Sequence, residues 1–183
     1  MKRFALIFAL FMAAAGAAFA QPVAAFASKP ALLTSVGQSA DFEMIKILLG
    51  RSKIPYTADP LIRADKLDAS SPTLVLVVGA SSKGLGAAGI SAEAELERTK
   101  ALLKRAKELK LTVIFLHVGG ASRRGAMSDS FIEPCVAASD LAIIVQAADE
   151  DGFLTKLTAK AGIALIKVDR VSSVGVPLAA AFK

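Results

Sequence analysis

Leu74–Val78 is a run of five apolar residues that drives into a loop with glycine at 79, 84, 86 and 89, and Ser91 then opens a helical pattern. An apolar run without polar alternation predicts a strand buried on both faces, as happens where helices cover both sides of a parallel sheet. A strand, a glycine-rich turn and a capped helix in that order gather backbone N–H groups around a small space suited to an anion. The stretch TLVLVVGASSKGLGAAGI therefore constrains the architecture and places a candidate site together.

The rest of the chain repeats the alternation of strand and helix. Ala31–Val36 reads as a strand, and Gly37-Gln38 turns into a helix capped by Ser39, with Asp41 and Glu43 in its first turn and an end near Gly50. Ile54–Thr57 is a weaker strand, and Ala64–Ala69 offers one helical turn before Thr73–Val78. The helix Ala92–Leu109 carries Glu93, Glu95 and Glu97 at its start and Lys104, Arg105 and Lys107 at its end, matching the macrodipole at both termini. Strands are expected at Leu111–Val118, Leu141–Val145 and Ile163–Val168, and helices at Asp129–Ala138, Gly152–Ala161 and after Pro177. Pro134 counts against the middle of the first of these helices. The pattern predicts a single three-layer α/β/α domain over residues 31–183, with a mostly parallel sheet of five or six strands, flavodoxin-like or Rossmann-like.

Residues 1–20 read as a signal peptide. Lys2 and Arg3 form the positive start, Phe4–Ala18 is apolar, and Ala18-Phe19-Ala20 is a small-x-small cleavage site. The apolar stretch is shorter than the roughly 20 residues of a spanning helix. A second Ala-Phe-Ala at 25–27 leaves the cut open between two positions, and residues 21–30 form an extended lead-in. The expected product is exported, periplasmic or secreted, with no stable membrane insertion after cleavage.

Loss of Lys2 and Arg3 lowers the net charge from +6 to +4, spread along the chain. With no Trp, one Tyr and no interleaving of basic and aromatic residues, nucleic acid is not an expected partner. The single cysteine, Cys135, excludes an internal disulfide and reads as a small core residue. One His, one Cys and no clustered carboxylates give no metal-ligand pattern, and no cofactor is expected.

In doubly wound sheets ligands bind beyond the carboxyl ends of the strands, where strand order reverses. In a flavodoxin-like order the loops there are Gly37-Gln38-Ser39 and Gly79–Gly89. The candidate ligand-binding residues are accordingly Gln38, Ser39, Gly79, Ser81, Ser82, Lys83, Gly84 and Gly86, joined by His117, Gly119, Arg123 and Arg124 from the next strand end. Arg123-Arg124 could clamp a carboxylate or phosphate.

The loop fits no nucleotide or hydrolase fingerprint. GASSKGLG has one residue too many between its first two glycines for the short-chain dehydrogenase pattern, and Pro60 stands where that family's lysine would follow Tyr56. Leu85-Gly86 replace the Lys and Ser/Thr of a Walker A loop, and Lys83 replaces a glycine of the nucleophile elbow. The leading reading is a binding protein for a small anionic molecule, without catalytic residues. Two alternatives stay open: a hydrolase-type enzyme using Ser81 or Ser82 with His117 and Asp129 or Asp149, and an envelope protein-interaction module whose partner is unknown.

The segments LLTSVGQSADFEMIKILL, LVVGASSKGLGAAGIS, HVGGASRRGAMSDSFI and DGFLTKL resemble a bacterial exported family, domain of unknown function 6305. The resemblance spans nearly all of the chain beyond the leader. It implies an exported α/β domain and brings no catalytic residue, cofactor or substrate with it.

Overall fold

The structure, a computed structural model, describes residues 24–183. The expected signal peptide and the first expected cleavage site, Ala18-Phe19-Ala20, lie outside the described residues, whereas the second, Ala25-Phe26-Ala27, lies within them. Six parallel strands form one sheet in the order β2-β1-β3-β4-β5-β6. They are β1 (Ala31–Val36), β2 (Tyr56–Ala58), β3 (Thr73–Val78), β4 (Thr112–His117), β5 (Leu141–Val145) and β6 (Ala164–Val168). This is the flavodoxin-like member of the two expected orders, extended by β6.

The apolar runs become strands because both faces of the sheet are covered. On β3, Leu74, Leu76 and Val78 face one core and Val75 and Val77 face the other. The first core lies beneath α3 (Ala92–Glu108), α4 (Ala126–Ala137) and α5 (Phe153–Ala161). The second lies beneath α1 (Asp41–Arg51) and α6 (Gly175–Ala180). Every residue of β1, β3 and β5 is buried, as no alternating strand could be.

Several local expectations are corrected. Ser39 does not cap α1: the N-cap is Ala40, and the Ser39 hydroxyl donates to Asp41 Oδ2 at 3.0 Å. β2 starts at Tyr56, because Lys53 turns the chain at φ 54° and the Ile54 N–H is spent closing α1 on the Leu49 carbonyl. The glycine-rich loop holds a helix of its own, α2 (Ser82–Ala87), capped by Ser81, whose hydroxyl accepts from the Gly84 N–H at 3.1 Å. α4 begins three residues before Asp129 and runs through Pro134. The proline forfeits one helical bond, and Phe131, Ile132, Cys135 and Val136 buried around it hold the helix together. α6 opens at Gly175, so Pro177 sits in its first turn.

The lead-in is tied down. Ala27 pairs with Phe182 in a parallel bridge, and the Lys183 N–H donates to the Ala27 carbonyl at 2.9 Å. Among the described residues no helix is long and apolar enough to cross a membrane.

Candidate functional site

The strand order puts the reversal between β1 and β3, so the β1–α1 and β3–α2 loops stand side by side at the carboxyl edge. There the protein fills the crevice itself. The Gly79 N–H donates to Val36 O at 2.9 Å, the Ser81 N–H donates to Gly37 O at 2.8 Å, and Gln38 and Ala80 form an antiparallel bridge. Gly37 turns at φ 86°, and a Cβ on Gly84 would lie 1.8 Å from Gln38 O. Gly37 and Gly84 thus allow two backbones to touch, and much of the expected backbone donation is used between the loops.

Beneath this contact sits a charged brace that composition did not reveal. Glu95 is fully buried and accepts from the Gly37 N–H at 2.9 Å and from Gln38 Nε2 at 2.9 Å. It also pairs with Arg98 Nε at 2.7 Å, while the same guanidinium donates to the carbonyls of Ile62 and Ser35. Gln38 adopts φ 58°, held by its second bond to Pro60 O. Its side-chain amide serves the loop. A readable signal existed: Glu95 and Thr99 each stand two turns before Leu102 and Ala106, respectively, on the buried face of α3.

The open space lies one strand further along. A groove of about 250 Å³ runs between the β3–α2 loop and the loop after β4, where Ala80, Ser82, Ser122, Arg123 and Ser128 line it. Ser128 is fixed there because its hydroxyl accepts from the Ala80 N–H at 3.0 Å. The N-terminus of α4 opens onto the same space, since Gly125, Ala126 and Met127 also line it and Gly125 supplies no side-chain cap. An uncapped helix start offers first-turn N–H groups and a partial positive charge.

The two arginines have different surroundings. Arg124 stacks on Phe153 at 4.5 Å, pairs with Asp129 at 2.7 Å and with Asp151 at 3.1 Å, and also donates to Ala148 O. Its bonds to Asp129 first, and to Asp151 after, raise its pKa above the usual arginine range. It acts as a cross-link between the β4–α4 loop and the start of α5. Arg123 is a third exposed and has one distant carboxylate, Asp41 Oδ2 at 4.0 Å. Asp41 reaches it across the strand ends because Gly119 is there: a Cβ on Gly119 would lie 2.7 Å from Asp41 Oδ2 and 2.0 Å from Arg123 Cγ. Lys83 and Gly86 stand on the short α2, with open space around the Gly86 α-carbon.

His117 ends β4 fully buried beneath this edge. Its Nδ1–H donates to Val78 O at 2.8 Å, and Nε2 has no partner among the described residues. Neither Ser81 nor Ser82 is in hydrogen-bond contact with it. Burial, the largest influence, pushes its pKa below the ordinary 6.5. The unfolded chain then takes up a proton before the folded one does, so stability is expected to fall as pH drops through and below 6.5. The slope approaches ~1.4 kcal/mol per pH unit for one proton. Thermal melts between pH 7.5 and 5.0 check this: His117→Gln should flatten the decline, and an equal decline in both proteins would remove His117 as its cause.

Cys135 is buried as expected, and burial pushes its thiol well above the usual range, which leaves it unreactive. No group of three or more His, Cys, Asp or Glu side chains that could hold a metal ion occurs among the described residues.

Strand order, coverage on both faces and a strand-edge groove define a doubly wound α/β protein of the flavodoxin-like kind. Within that class the chain belongs to the family described as domain of unknown function (DUF6305), whose model matches residues 28–182. No curated protein matches the chain.

Proposed function

We propose that this chain is an exported binding protein that holds a small anionic molecule in the groove between the β3–α2 and β4–α4 loops, without catalysing a reaction. The observation that carries the reading is the uncapped start of the twelve-residue α4, facing a groove that also presents Arg123 and the hydroxyl of Ser82, while the Ser122 hydroxyl donates to the Gly119 carbonyl at 3.0 Å. Backbone N–H groups, a cation and a hydroxyl are the donor set that recognises a carboxylate or phosphate. Lys83 adds positive charge from α2. Gly37, Gln38, Gly79, Gly84, Gly119 and Arg124 shape and brace the edge behind these contacts. Lys2-Arg3, the apolar stretch after them and Ala18-Phe19-Ala20 support export.

The full chain, produced in a bacterial host, tests both parts. Intact mass of the exported product should show the leader removed after Ala20 or Ala27. Calorimetric titration with inorganic phosphate, sulfate and citrate should find a saturable site. Arg123→Ala should weaken it at least tenfold, about 1.4 kcal/mol, with an unchanged melting temperature. Asp41→Asn, which releases Arg123 from its one carboxylate, should strengthen it. Affinity indifferent to both changes would remove the anion from this groove.

A further inference from the structure

The opposite edge of the sheet carries a larger groove that the strand-end reading leaves unused. It occupies about 840 Å³ between the carboxyl-terminal halves of α3 and α4, over the start of β4. One bank is a row of lysines, Lys100, Lys104, Lys107 and Lys110. The first three recur at helical spacing, so they project along a single side of α3. The floor and far bank are apolar, formed by Leu103, Leu111, Pro134, Ala137 and Ala138.

Two features separate this row from ordinary helix-end charge. Complementing the α3 macrodipole calls for cations in the last turn, where Arg105 and Lys107 already stand. Lys100 and Lys104 stand earlier, along the groove rather than at the helix end. The negative charge nearby is also limited. Lys100 pairs with Glu97 at 2.8 Å, whereas Lys104, Lys107 and Lys110 have no carboxylate partner among the described residues. Asp140, the one acidic residue lining the groove, accepts from the Val113 N–H at 2.8 Å and is turned to the strand.

A cationic bank facing an apolar floor complements a molecule with an anionic head and a hydrocarbon tail. The volume falls within the roughly 300–1,000 Å³ of small-molecule sites, and a concave trough suits one such molecule better than a flat surface. We propose that this groove binds a single amphiphilic anion, an alkyl chain ending in a carboxylate. Its head pairs with Lys104, Lys107 and Lys110, and its tail lies over Leu103, Leu111, Pro134 and Ala138. The site is independent of the anion groove at the strand ends.

The probe is dodecanoate, held below its micelle concentration and titrated into the full chain by calorimetry and native mass spectrometry. One equivalent should bind saturably, decanol more weakly, and inorganic phosphate not at this site. A Lys104→Ala/Lys107→Ala variant, altered only at exposed positions, should bind dodecanoate at least tenfold more weakly. Ala138→Phe, which fills the trough, should weaken it while the lysines remain. Raising sodium chloride to high concentration should lower wild-type affinity, a readout that needs no variant. Arg123→Ala should leave dodecanoate binding unchanged. Affinity untouched by the lysines and by salt overturns the proposal. So does binding to phosphatidylglycerol vesicles without binding to dodecanoate, which would assign the lysines to a membrane surface.

Discussion

Gly84→Ala is expected to lower stability by ~3 kcal/mol, whereas Gly86→Ala, two residues along the same helix, should raise it by about 0.5 kcal/mol. The difference rests on what stands beside each α-carbon. A methyl group on Gly84 would enter the space of the Gln38 carbonyl at 1.8 Å, and the obstacle is backbone that no rotamer change can move. To admit it, the β3–α2 loop must part from the β1–α1 loop, stretching the Ser81 to Gly37 hydrogen bond and the Gln38–Ala80 bridge. Gly86 meets nothing within 4 Å, so alanine there only reduces the freedom of the unfolded chain. Paired denaturant unfolding curves measure both effects. Equal, small changes would mean that the two loops do not touch as described. Since Ala80 and Ser82 also line the strand-end groove, Gly84→Ala should further impair anion binding in the protein that remains folded.

The second large effect is expected at Glu95. Removing one partner of a buried ion pair leaves the other uncompensated, which typically costs 3–5 kcal/mol. Glu95→Ala would strand Arg98, whose side chain is 12 % exposed, and unpair the Gly37 N–H together with one bond of the Gln38 amide. A loss of about 4 kcal/mol corresponds to a fall of roughly 10 °C in Tm for a chain of this size. Much of that cost is the stranded charge, so Glu95→Ala/Arg98→Met should be more stable than Glu95→Ala alone. A double variant no better than the single would place the cost in lost packing.

The architecture was legible because the central strands β3 and β5 are unbroken apolar runs and the long helix α3 is amphipathic. Leu74–Val78 alone requires two covered faces, and the helix from Ser91 carries its stripe through Leu102, Leu103 and Ala106. Loop chemistry was less legible. Glycine at 37 and 84 reads equally well as backbone offered to a ligand or as backbone pressed against backbone, and the structure shows the second. Glu95 was hidden by a sufficient alternative explanation, since an acidic residue in a first helical turn already satisfies the dipole. Arg123 and Arg124 are adjacent in sequence, but their opposite surroundings depend on Asp129, Asp151 and Phe153 being folded back onto only one of them. The groove beside the lysines joins α3 to α4, and no local pattern announces a space between two helices.

The bridge between Ala27 and Phe182 has a consequence in time as well as in space. It joins the two ends of the described chain, so local neighbours cannot assemble it early. While a polypeptide is still being made, its sheet can begin to form but its clasp cannot shut. Completion waits for residues 181–183 to arrive.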